Sequence, residues 1–365
     1  MKDLAKYLGC LIGGAAGDAL GYAVEFSSID EIRRTFGERG IRRYAKTSGK
    51  ALISDDTQMT LFTANGLLLG KTRTRMRGIS GPVEGYIHCA YLDWLYTQTG
   101  KSPRNYQYTW LRNVKRLHAC RAPGKTCLSA LSSGKCGTID KPINNSKGCG
   151  GVMRVAPIGL YFCEHGDEAY VTGLGAKAAA ITHGHPLGFI PAATLVNIVY
   201  NCLNVGYNSL KEVIEHSIRF TENLYGHYPE TGYLTRLLEK AIQLSETDNP
   251  DLCNIQQLGE GWVAEETLAI AVYCSLKYPD DFEKAVIASV NHSGDSDSTG
   301  AVTGNILGAW LGIEAIPQHF KEGLEIIDVI EEIAKELYND CQMSEYSGYR
   351  DEVWESKYIK TTFAL

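Results

Sequence analysis

The chain has 365 residues, of which 44% are hydrophobic, so it can bury the core of one large domain or two smaller ones. Its formal net charge of −6 argues against a general nucleic-acid-binding protein, because such proteins carry an excess of cationic side chains. Eleven cysteines without a Cys-x-x-Cys pair give no support to a zinc ribbon or a thioredoxin-like motif. Scattered single cysteines are typical of a reducing compartment, so we expect a cytoplasmic protein.

The N-terminal region predicts a helix over residues 8–20 that is rich in glycine and alanine. Glycine costs about 1 kcal/mol inside a helix, so another backbone must approach closely to compensate. Residues 303–312 share this small-residue character, and we expect the two helices to cross closely at the centre of the molecule.

The same N-terminal region has some features of a secretion signal, since Lys2 and Lys6 precede an apolar run over residues 8–16. That run is short and glycine-rich, and it ends at Asp18, so we expect no export. We also expect no segment that reaches the length of a membrane-spanning helix.

Two adjacent carboxylates, Asp55 and Asp56, stand between Ser54 and Thr57 where a helical pattern begins. A capped helix with acidic residues in its first turn is a sufficient structural explanation. However, adjacent carboxylates repel each other unless a cation or a proton lies between them. The motif is therefore also a candidate for metal binding.

Helical periodicity dominates the rest of the chain. A helix is predicted over residues 87–96, and a loop-rich region follows over residues 121–146. We find few alternating strand patterns, no internal repeat and no linker, so we expect one all-α domain spanning residues 1–365. Further helices are predicted over residues 171–182, 191–203, 210–224, 233–244, 282–290 and 326–337.

Three glycines surround a cysteine in the sequence Gly148-Cys149-Gly150-Gly151. Glycines let backbone N–H groups approach phosphate oxygens, so this cluster is a candidate diphosphate site. It matches neither the P-loop nor a dinucleotide fingerprint, and a simple tight turn is the alternative.

His183 and His185 end a predicted helix two residues apart. They are candidates for a metal pair, and a helix cap combined with a hydrogen bond in the core is the alternative. Cys149 acting as a nucleophile with His183 as its base is a further alternative, although no sequence feature establishes that geometry.

A second acidic cluster, Asp295-Ser296-Asp297-Ser298, precedes an apolar helical segment. Carboxylate and hydroxyl oxygens are hard ligands that suit Mg, Mn or Ca rather than zinc. A helix cap is again the structural alternative. An EF-hand loop opening at Asp295 is excluded, because its twelfth position would be Ile306 instead of a glutamate. Two acidic clusters at helix starts could together form a two-metal centre.

Several of these motifs occur in a fixed order and cover most of the chain. They are Gly17-Asp18-Ala19-Leu20-Gly21 with Glu25, Ser54-Asp55-Asp56-Thr57, Gly148-Cys149-Gly150, Met153-Arg154, Thr182-His183-Gly184-His185-Pro186, Gly261-Trp262 with Glu266-Thr267, and Gly294-Asp295-Ser296-Asp297-Ser298. In this order they resemble the ADP-ribosylglycohydrolase family. Within that family, Arg121-Ala122-Pro123-Gly124, Cys149 and Ser298 are most similar to the ADP-ribosylarginine hydrolases.

The resemblance implies an all-α orthogonal helical bundle with two Mg²⁺ ions, or Mn²⁺, in a central cleft. The metal ligands that it implies are Ser54, Asp55, Asp56, Asp295, Asp297 and Ser298. The catalytic residues that it implies are Asp55 and Asp56, with Glu25 at the mouth near the ribose. The substrate contacts that it implies are Gly148, Cys149, Gly150, Gly151 and Met153 at the diphosphate, His183 nearby, and Gly261 and Trp262 at the adenosine end.

The function implied is hydrolysis of the N-glycosidic bond between ADP-ribose and an arginine side chain of a modified protein, with ADP-ribose as the product. An aspartate at the metals would act as base, and Glu25 would add an acid or base. Serine-linked ADP-ribose, a small ADP-ribosyl metabolite, a non-catalytic relative and an unrelated two-metal phosphatase are the alternatives. We expect a monomer that binds neither nucleic acid nor membrane.

Overall fold

A computed structural model describes residues 2–78, 80–104, 106–164, 167–204 and 206–360. These residues form 17 α-helices and no β-strand, with only three isolated β-bridges between extended residues. The prediction of an all-α fold is therefore confirmed. The single domain over residues 1–365 stays a prediction.

The first half of the described chain contains eight α-helices. They are α1 (Leu4–Gly21), α2 (Ile29–Phe36), α3 (Asp55–Arg77), α4 (Val83–Thr99), α5 (Lys125–Ser132), α6 (Ala156–Tyr161), α7 (Glu168–Ala180) and α8 (Pro186–Leu203). Short 3₁₀ turns lie at Trp110–Asn113, Lys115–His118 and Cys149–Gly151.

The second half contains the remaining helices. They are α9 (Leu210–Tyr225), α10 (Pro229–Ser245), α11 (Asp251–Ile255), α12 (Ala264–Lys277), α13 (Phe282–Val290), α14 (Ser296–Leu311), α15 (Gln318–Lys321), α16 (Ile327–Asn339) and α17 (Glu352–Glu355). A 3₁₀ turn lies at Ile313–Ala315 and a π-helical turn at Ser356–Lys360.

Each helix predicted from periodicity is present, and α13 has the predicted bounds. Helix α5 lies in the region predicted as loops, and α12 was not predicted. Nearly every residue of α12 is buried, so its sequence lacks the alternation between an apolar and a polar face on which periodicity depends. Helices α2, α6, α11, α15 and α17, of four to eight residues each, were not predicted either.

Helices α1 and α14 pack antiparallel with their backbones in direct contact. A Cβ atom added to Gly9 would lie 2.3 Å from the Gly308 carbonyl oxygen, and one added to Gly13 would lie 2.5 Å from that of Gly304. The same contact recurs one turn further at Gly17, 2.0 Å from the Gly300 oxygen. The predicted close crossing is confirmed, and it extends over several turns of both helices.

Helix α8 is long and apolar enough to cross a membrane by length and composition, so the expectation that no segment reaches that length is wrong. However, 83% of this helix is buried inside the protein. It begins at Pro186, five residues before the predicted start, and Pro191 lies within it. Because so much of its surface is buried, α8 is a helix of the protein core.

Helices α3 and α14 both begin at the acidic motifs. Ser54 caps α3, because its side chain accepts a hydrogen bond from the Asp56 N–H. Asp295 caps α14 by accepting one from the Ser298 N–H. Helix capping, the structural alternative given above for both acidic motifs, is therefore correct. It is also compatible with a functional site, since a helix N-terminus stabilises negative charge nearby.

Candidate active site

The N-termini of α3 and α14 open into one cavity of about 470 Å³. Its walls come from seven separate stretches of the chain, so folding alone brings them together. The lining residues are Glu25 and Phe26, Asp55 and Asp56, residues 122–127, Gly148 with Cys149, Gly150 and Met153, His183, and Trp262 with Asp295, Asp297 and Ser298.

Most of the residues predicted for the site line this cavity, and three do not. Ser54 is buried behind Asp55 and Asp56, where its hydroxyl caps α3. Gly151 packs against α8, where an added Cβ would lie 2.7 Å from the Gly188 oxygen. Gly261 has a φ of +84° and supports α14 from behind, since an added Cβ would lie 3.3 Å from the Asp295 oxygen. None of these three residues lines the cavity, and the roles predicted for them, Ser54 as a metal ligand and the two glycines as substrate contacts, stay predictions.

Asp18 of α1 organises the first acidic motif and was not among the predicted site residues. Its buried carboxylate accepts hydrogen bonds from the Ser54 N–H, at 3.0 and 3.1 Å, and from the Thr57 N–H at 3.1 Å. The Thr57 hydroxyl also donates to it. Asp18 thereby fixes the turn from which Asp55 and Asp56 enter the cavity.

The second motif is held through hydrogen bonds that its own backbone N–H groups donate. The Asp295 N–H donates to the Glu260 carbonyl at 2.9 Å, and the Ser298 N–H donates to Asp297 at 3.0 Å. These bonds orient both aspartates at the start of α14, facing the cavity. The two motifs thus present their carboxylates to the same space.

Burial and mutual repulsion raise the pKa values of Glu25, Asp55 and Asp56. For Glu25, burial and then the charges of Asp297 and Asp295 raise the pKa to about 10. Burial also raises the pKa values of Asp55 and Asp56 well above their ordinary value. The negative charge of these carboxyl groups must therefore be neutralised, either by protons or by cations.

Two observations bear on whether a divalent cation fits. Asp56 Oδ2 and Glu25 Oε2 are buried and accept no hydrogen bond, so oxygen lone pairs remain available in the cavity. All predicted ligands are hard oxygen donors. Within the described residues, no three His, Cys, Asp or Glu side chains form a complete metal-binding group. A cation would therefore need the Ser298 hydroxyl, water or substrate to complete its coordination, which Mg²⁺ commonly does.

The opposite wall is the glycine turn at Gly148–Gly151, which packs tightly on His183. A Cβ added to Gly150 would lie 3.0 Å from His183 Cε1 and 2.9 Å from Cys127 Sγ. The turn is also fixed to the segment after Gly261, since the Cys149 N–H donates to the Trp262 carbonyl at 3.3 Å. This wall is therefore both closely packed and free of large side chains.

His183 is a neutral residue of the wall. Its Nδ1 pairs with the Thr182 hydroxyl at 2.8 Å, and that hydroxyl accepts a hydrogen bond from buried Arg154 at 2.6 Å. Burial, followed by the Arg154 charge, lowers the pKa of His183 to about 3. His185 instead caps α8, accepting from the Leu187 N–H at 3.0 Å. The structural alternative is thus correct for these two histidines: His185 caps a helix and His183 makes a hydrogen bond in the core.

Cys149 does not have the environment of a nucleophile. Burial, followed by the charges of Asp295 and Asp56, raises the pKa of its thiol well above the ordinary value. A reactive cysteine needs a lowered pKa, which neighbouring cations supply. The Cys149–His183 alternative is therefore disfavoured on electrostatic grounds.

The mouth of the cavity carries two exposed aromatic rings. Phe26 is 70% exposed and Trp262 is 38% exposed, and they stack with ring centroids 5.4 Å apart at an interplanar angle of 21°. Phe26 also has a φ of +67°, which is rare for a residue with a side chain. This stacked pair places flat apolar surface beside Glu25.

Three parts of the site were missed from sequence. Asp18 ends the apolar run of residues 8–16 and belongs to the first family motif, but neither observation predicted that it holds Ser54 and Thr57. Phe26 follows Glu25 directly, but its exposure depends on a backbone conformation that sequence does not reveal. The loop over residues 122–127 joins the cavity partly because the Gly124 N–H donates to Asp55 at 3.1 Å, a contact between distant positions.

Comparison with known proteins identifies the family. A model of the family described as ADP-ribosylglycohydrolase matches residues 1–347. The chain belongs to the ADP-ribosylglycohydrolase family. The resemblance inferred from the motifs is therefore confirmed, and the family consists of glycosyl hydrolases that act on ADP-ribose.

Relatives in the ADP-ribosylglycohydrolase family match along nearly the whole chain. An uncharacterised protein of Archaeoglobus fulgidus is 29% identical over 91% of this chain and 96% of its own. ADP-ribosylhydrolase ARH3 of Mus musculus is 27% identical over 94% of each chain. The ADP-ribosyl-dinitrogen reductase glycohydrolase of Rhodospirillum rubrum is 24% identical over 88% of this chain and 90% of its own.

A solved structure shares the fold. It is described as an ADP-ribosylglycohydrolase-related protein complex and has a TM-score of 0.63 and 24% identity, covering 92% of this chain and 98% of that one. The ADP-ribosylglycohydrolase fold is thus common to both. The class of hydrolase is supported by the family match, and the arginine linkage stays a prediction.

Proposed function

We propose that this protein is a metal-dependent hydrolase that removes ADP-ribose from modified arginine side chains of proteins. The observation that carries the proposal is the single cavity in which Glu25, Asp55, Asp56, Asp295 and Asp297 gather at two helix N-termini. The family membership supplies the class of substrate. The chemistry of the cavity supports the metal requirement and the roles of the side chains.

A cation requirement follows from electrostatics. ADP-ribose carries a diphosphate, which five carboxylates would repel unless cations neutralise them. Asp55, Asp56, Asp295, Asp297 and Ser298 would hold the cations, with Ser54 behind them. A bound divalent cation supplies Lewis-acid chemistry at a ligated oxygen. Hydrolases of this family are generally metal-dependent, and two Mg²⁺ ions are the cofactors that we propose.

The side chains of the cavity would perform the remaining steps. Asp55 is held by the Gly124 N–H, and Asp56 has an oxygen without a partner, so Asp56 can accept a proton while Asp55 stays oriented. Glu25 lies at the mouth with Oε2 also unpartnered, where it can hold a proton for the leaving group. The Gly148–Gly151 wall leaves room for the diphosphate, because it presents few side chains.

The arginine linkage is supported by the aromatic rings at the mouth of the cavity. A guanidinium is a planar cation, so it suits the carboxyl of Glu25 and the stacked faces of Phe26 and Trp262. A serine hydroxyl as leaving group would also gain from a proton on Glu25, but as a neutral group it would gain nothing from a cation–π contact with the two rings. Serine-linked ADP-ribose and small ADP-ribosyl metabolites remain the alternative substrates of the same cavity.

The deciding experiment measures release of ADP-ribose from two peptides that differ only in an arginine or a serine linkage, with Mg²⁺ and with EDTA. We expect release from the arginine peptide that requires Mg²⁺. Asp55→Ala should abolish it, whereas Glu239→Ala, at an exposed carboxylate of α10, should not. Release from the serine peptide alone would overturn the linkage. Full activity in EDTA or in Asp55→Ala would overturn the metal site.

A further inference from the structure

A rigid basic surface adjoins the acidic cavity. Between residues 33 and 50 the chain has seven basic side chains and a single acidic one, Glu38, although the whole chain carries a net charge of −6. We call these residues the basic segment. All seven cationic side chains are exposed: Arg33, Arg34, Arg39, Arg42, Arg43, Lys46 and Lys50.

The backbone of the basic segment is fixed by contacts with the core. The Ile41 N–H donates to Asn291 Oδ1 at 2.8 Å, and Asn291 Nδ2 donates back to the Ile41 carbonyl at 2.9 Å. The Tyr44 hydroxyl donates to the Phe320 carbonyl at 2.8 Å, and Ile32 is buried. The cationic side chains therefore project from a defined surface.

Most of these cations lack an ionic partner within the protein. Arg43 pairs with Glu283 at 2.5 Å. Among the described residues, no carboxylate lies within ion-pair distance of the other six. Like charges repel each other where they lie within the Debye length, which is about 8 Å in physiological salt. An anionic partner would relieve that repulsion.

The surface has depressions in which a chain could lie. One, of about 480 Å³, and a second, of about 250 Å³, share Glu38, Arg39, Gly40 and Arg42. The second also includes Arg33 and Lys284 in its walls. Asp251, the carboxylate on the far side, already accepts hydrogen bonds from the Tyr273 and Tyr278 hydroxyls. Lys284 pairs with Asp281 at 2.8 Å. The other ionisable residues that line the two depressions are mainly cationic, since Arg33, Arg39, Arg42 and Arg43 outnumber Glu38 and Asp251.

The basic segment is connected to the cavity at both ends. Glu25 and Phe26 line the mouth immediately before α2, whose eight residues span about 12 Å. The Ile29 N–H donates to Ser293 Oγ at 2.9 Å, next to the second acidic motif. At its other end, four residues separate Lys50 from Asp55 in the chain. A protein whose modified side chain enters the cavity would therefore pass close to this surface.

We infer that the basic segment is a docking surface for an acidic stretch of the modified protein, close to the side chain that carries ADP-ribose. This inference rests on the proposed function, since it assumes a protein substrate. Opposite charges on the two surfaces would speed encounter and lower KM, without a part in the chemical step. Phe36 is the one exposed large aromatic side chain between residues 33 and 50, so the surface lacks the row of rings on which nucleic-acid bases stack.

The test compares Arg39→Glu/Arg42→Glu with Arg219→Glu/Arg236→Glu, a control with the same change of charge at exposed positions of α9 and α10. The substrates are two ADP-ribosylated peptides that share the cleaved linkage and differ only in acidic or neutral flanking residues. In parallel, fluorescence anisotropy measures the Kd of an unmodified acidic peptide and of a single-stranded RNA of equal charge.

We expect Arg39→Glu/Arg42→Glu to raise KM for the acidic peptide by roughly tenfold, the combined scale of a few exposed charge contacts. Its kcat, and both constants for the neutral peptide, should stay within about twofold of the unaltered protein. The Kd of the unmodified acidic peptide should rise in parallel. The control variant Arg219→Glu/Arg236→Glu should change neither this Kd nor the KM for the acidic peptide.

Equal constants for acidic and neutral peptides in the unaltered protein would overturn the docking surface while leaving the hydrolase intact. Equal effects of the two double variants would also overturn it, since net charge alone would then explain the result. Tighter binding of RNA through Arg39 and Arg42 would replace the proposed class of partner. If no peptide releases ADP-ribose, the proposed function fails, and the anisotropy alone decides the docking surface.

Discussion

Two carboxyl groups, Asp18 beneath the first acidic motif and Glu25 in the cavity wall, differ in how the protein holds them. The Asp18 carboxylate is surrounded by three donors from the first acidic motif and is completely buried. Glu25 lies at the mouth, and its Oε2 has no hydrogen-bond partner. Asp18 is thus suited to positioning other residues and Glu25 to exchanging a proton with substrate.

Glu25→Gln removes the proton exchange and preserves the size of the side chain. We expect kcat to fall by about 10²-fold or more, the scale of a general acid or base, with a much smaller change in the Kd of ADP-ribose. Single-turnover kinetics and titration calorimetry with ADP-ribose separate the two effects. A large loss of ADP-ribose affinity with little change in kcat would make Glu25 a binding residue only.

Asp18→Asn replaces one acceptor oxygen with an N–H₂ group facing N–H donors from Ser54 and Thr57. We expect a loss of about 1–3 kcal/mol in the free energy of unfolding, since a buried donor would be left without a partner. Urea denaturation measures this, with Asp280→Asn at an exposed position as the control. Equal stability of both variants would show that Asp18 does not fix the motif.

At the scale of elements, the contact between α1 and α14 decides where the acidic motifs meet. The glycines of α1 and α14 recur every four residues, so both helices present a face without side chains. Close approach of the two backbones brings Asp18 beside the start of α14, where the charge of Asp297 contributes to raising its pKa. The glycines therefore contribute to the site through geometry, although none contacts the substrate in our proposal.

Gly304→Ala tests this packing, because the added Cβ would lie 2.0 Å from the Gly13 carbonyl oxygen. We expect destabilisation of about 1–3 kcal/mol from overpacking. Gly85→Ala, in α4 with no atom within 4 Å of the added Cβ, should instead be neutral or stabilising by up to about 1 kcal/mol. Thermal unfolding of both variants measures the difference. Similar stabilities would mean that the two helices can separate without cost.

At the scale of the whole molecule, charge is distributed unevenly. Carboxylates fill the cavity, the basic segment covers an adjoining surface, and the net charge is −6. Without cations, the buried carboxyl groups of the native state hold protons that the unfolded chain would release. Divalent cations and protons therefore compete for the same function, which is to neutralise the cavity.

This competition predicts opposite effects of pH with and without metal. Burial raises the pKa of Glu25 to about 10 and that of Asp18 to about 7, both above the values near 4 expected in the unfolded chain. The metal-free protein therefore binds more protons when folded, so its stability should fall as the pH rises from about 5 to 9.

Magnesium should reverse the trend by stabilising the ionised form, by about 2.7 kcal/mol at a concentration 100 times its Kd. The melting temperature at pH 6 and pH 8, in EDTA and in Mg²⁺, measures both effects. Asp297→Asn serves as a variant with a weakened site and should show a smaller gain with Mg²⁺. A melting temperature that is the same in Mg²⁺ and in EDTA at both pH values would contradict metal binding in the cavity.

The sequence by itself determined the helical class, most of the helices and the family. Amphipathic periodicity and the order of short motifs are local properties, so they are readable without coordinates. The glycine pattern even predicted the contact of α1 with α14. Tertiary structure alone decided that residues 122–127 and Phe26 join the cavity, and that Ser54, Gly151 and Gly261 lie behind its surface. Those positions depend on contacts between residues far apart in the chain and on a backbone angle at Phe26, and neither leaves a periodic signal.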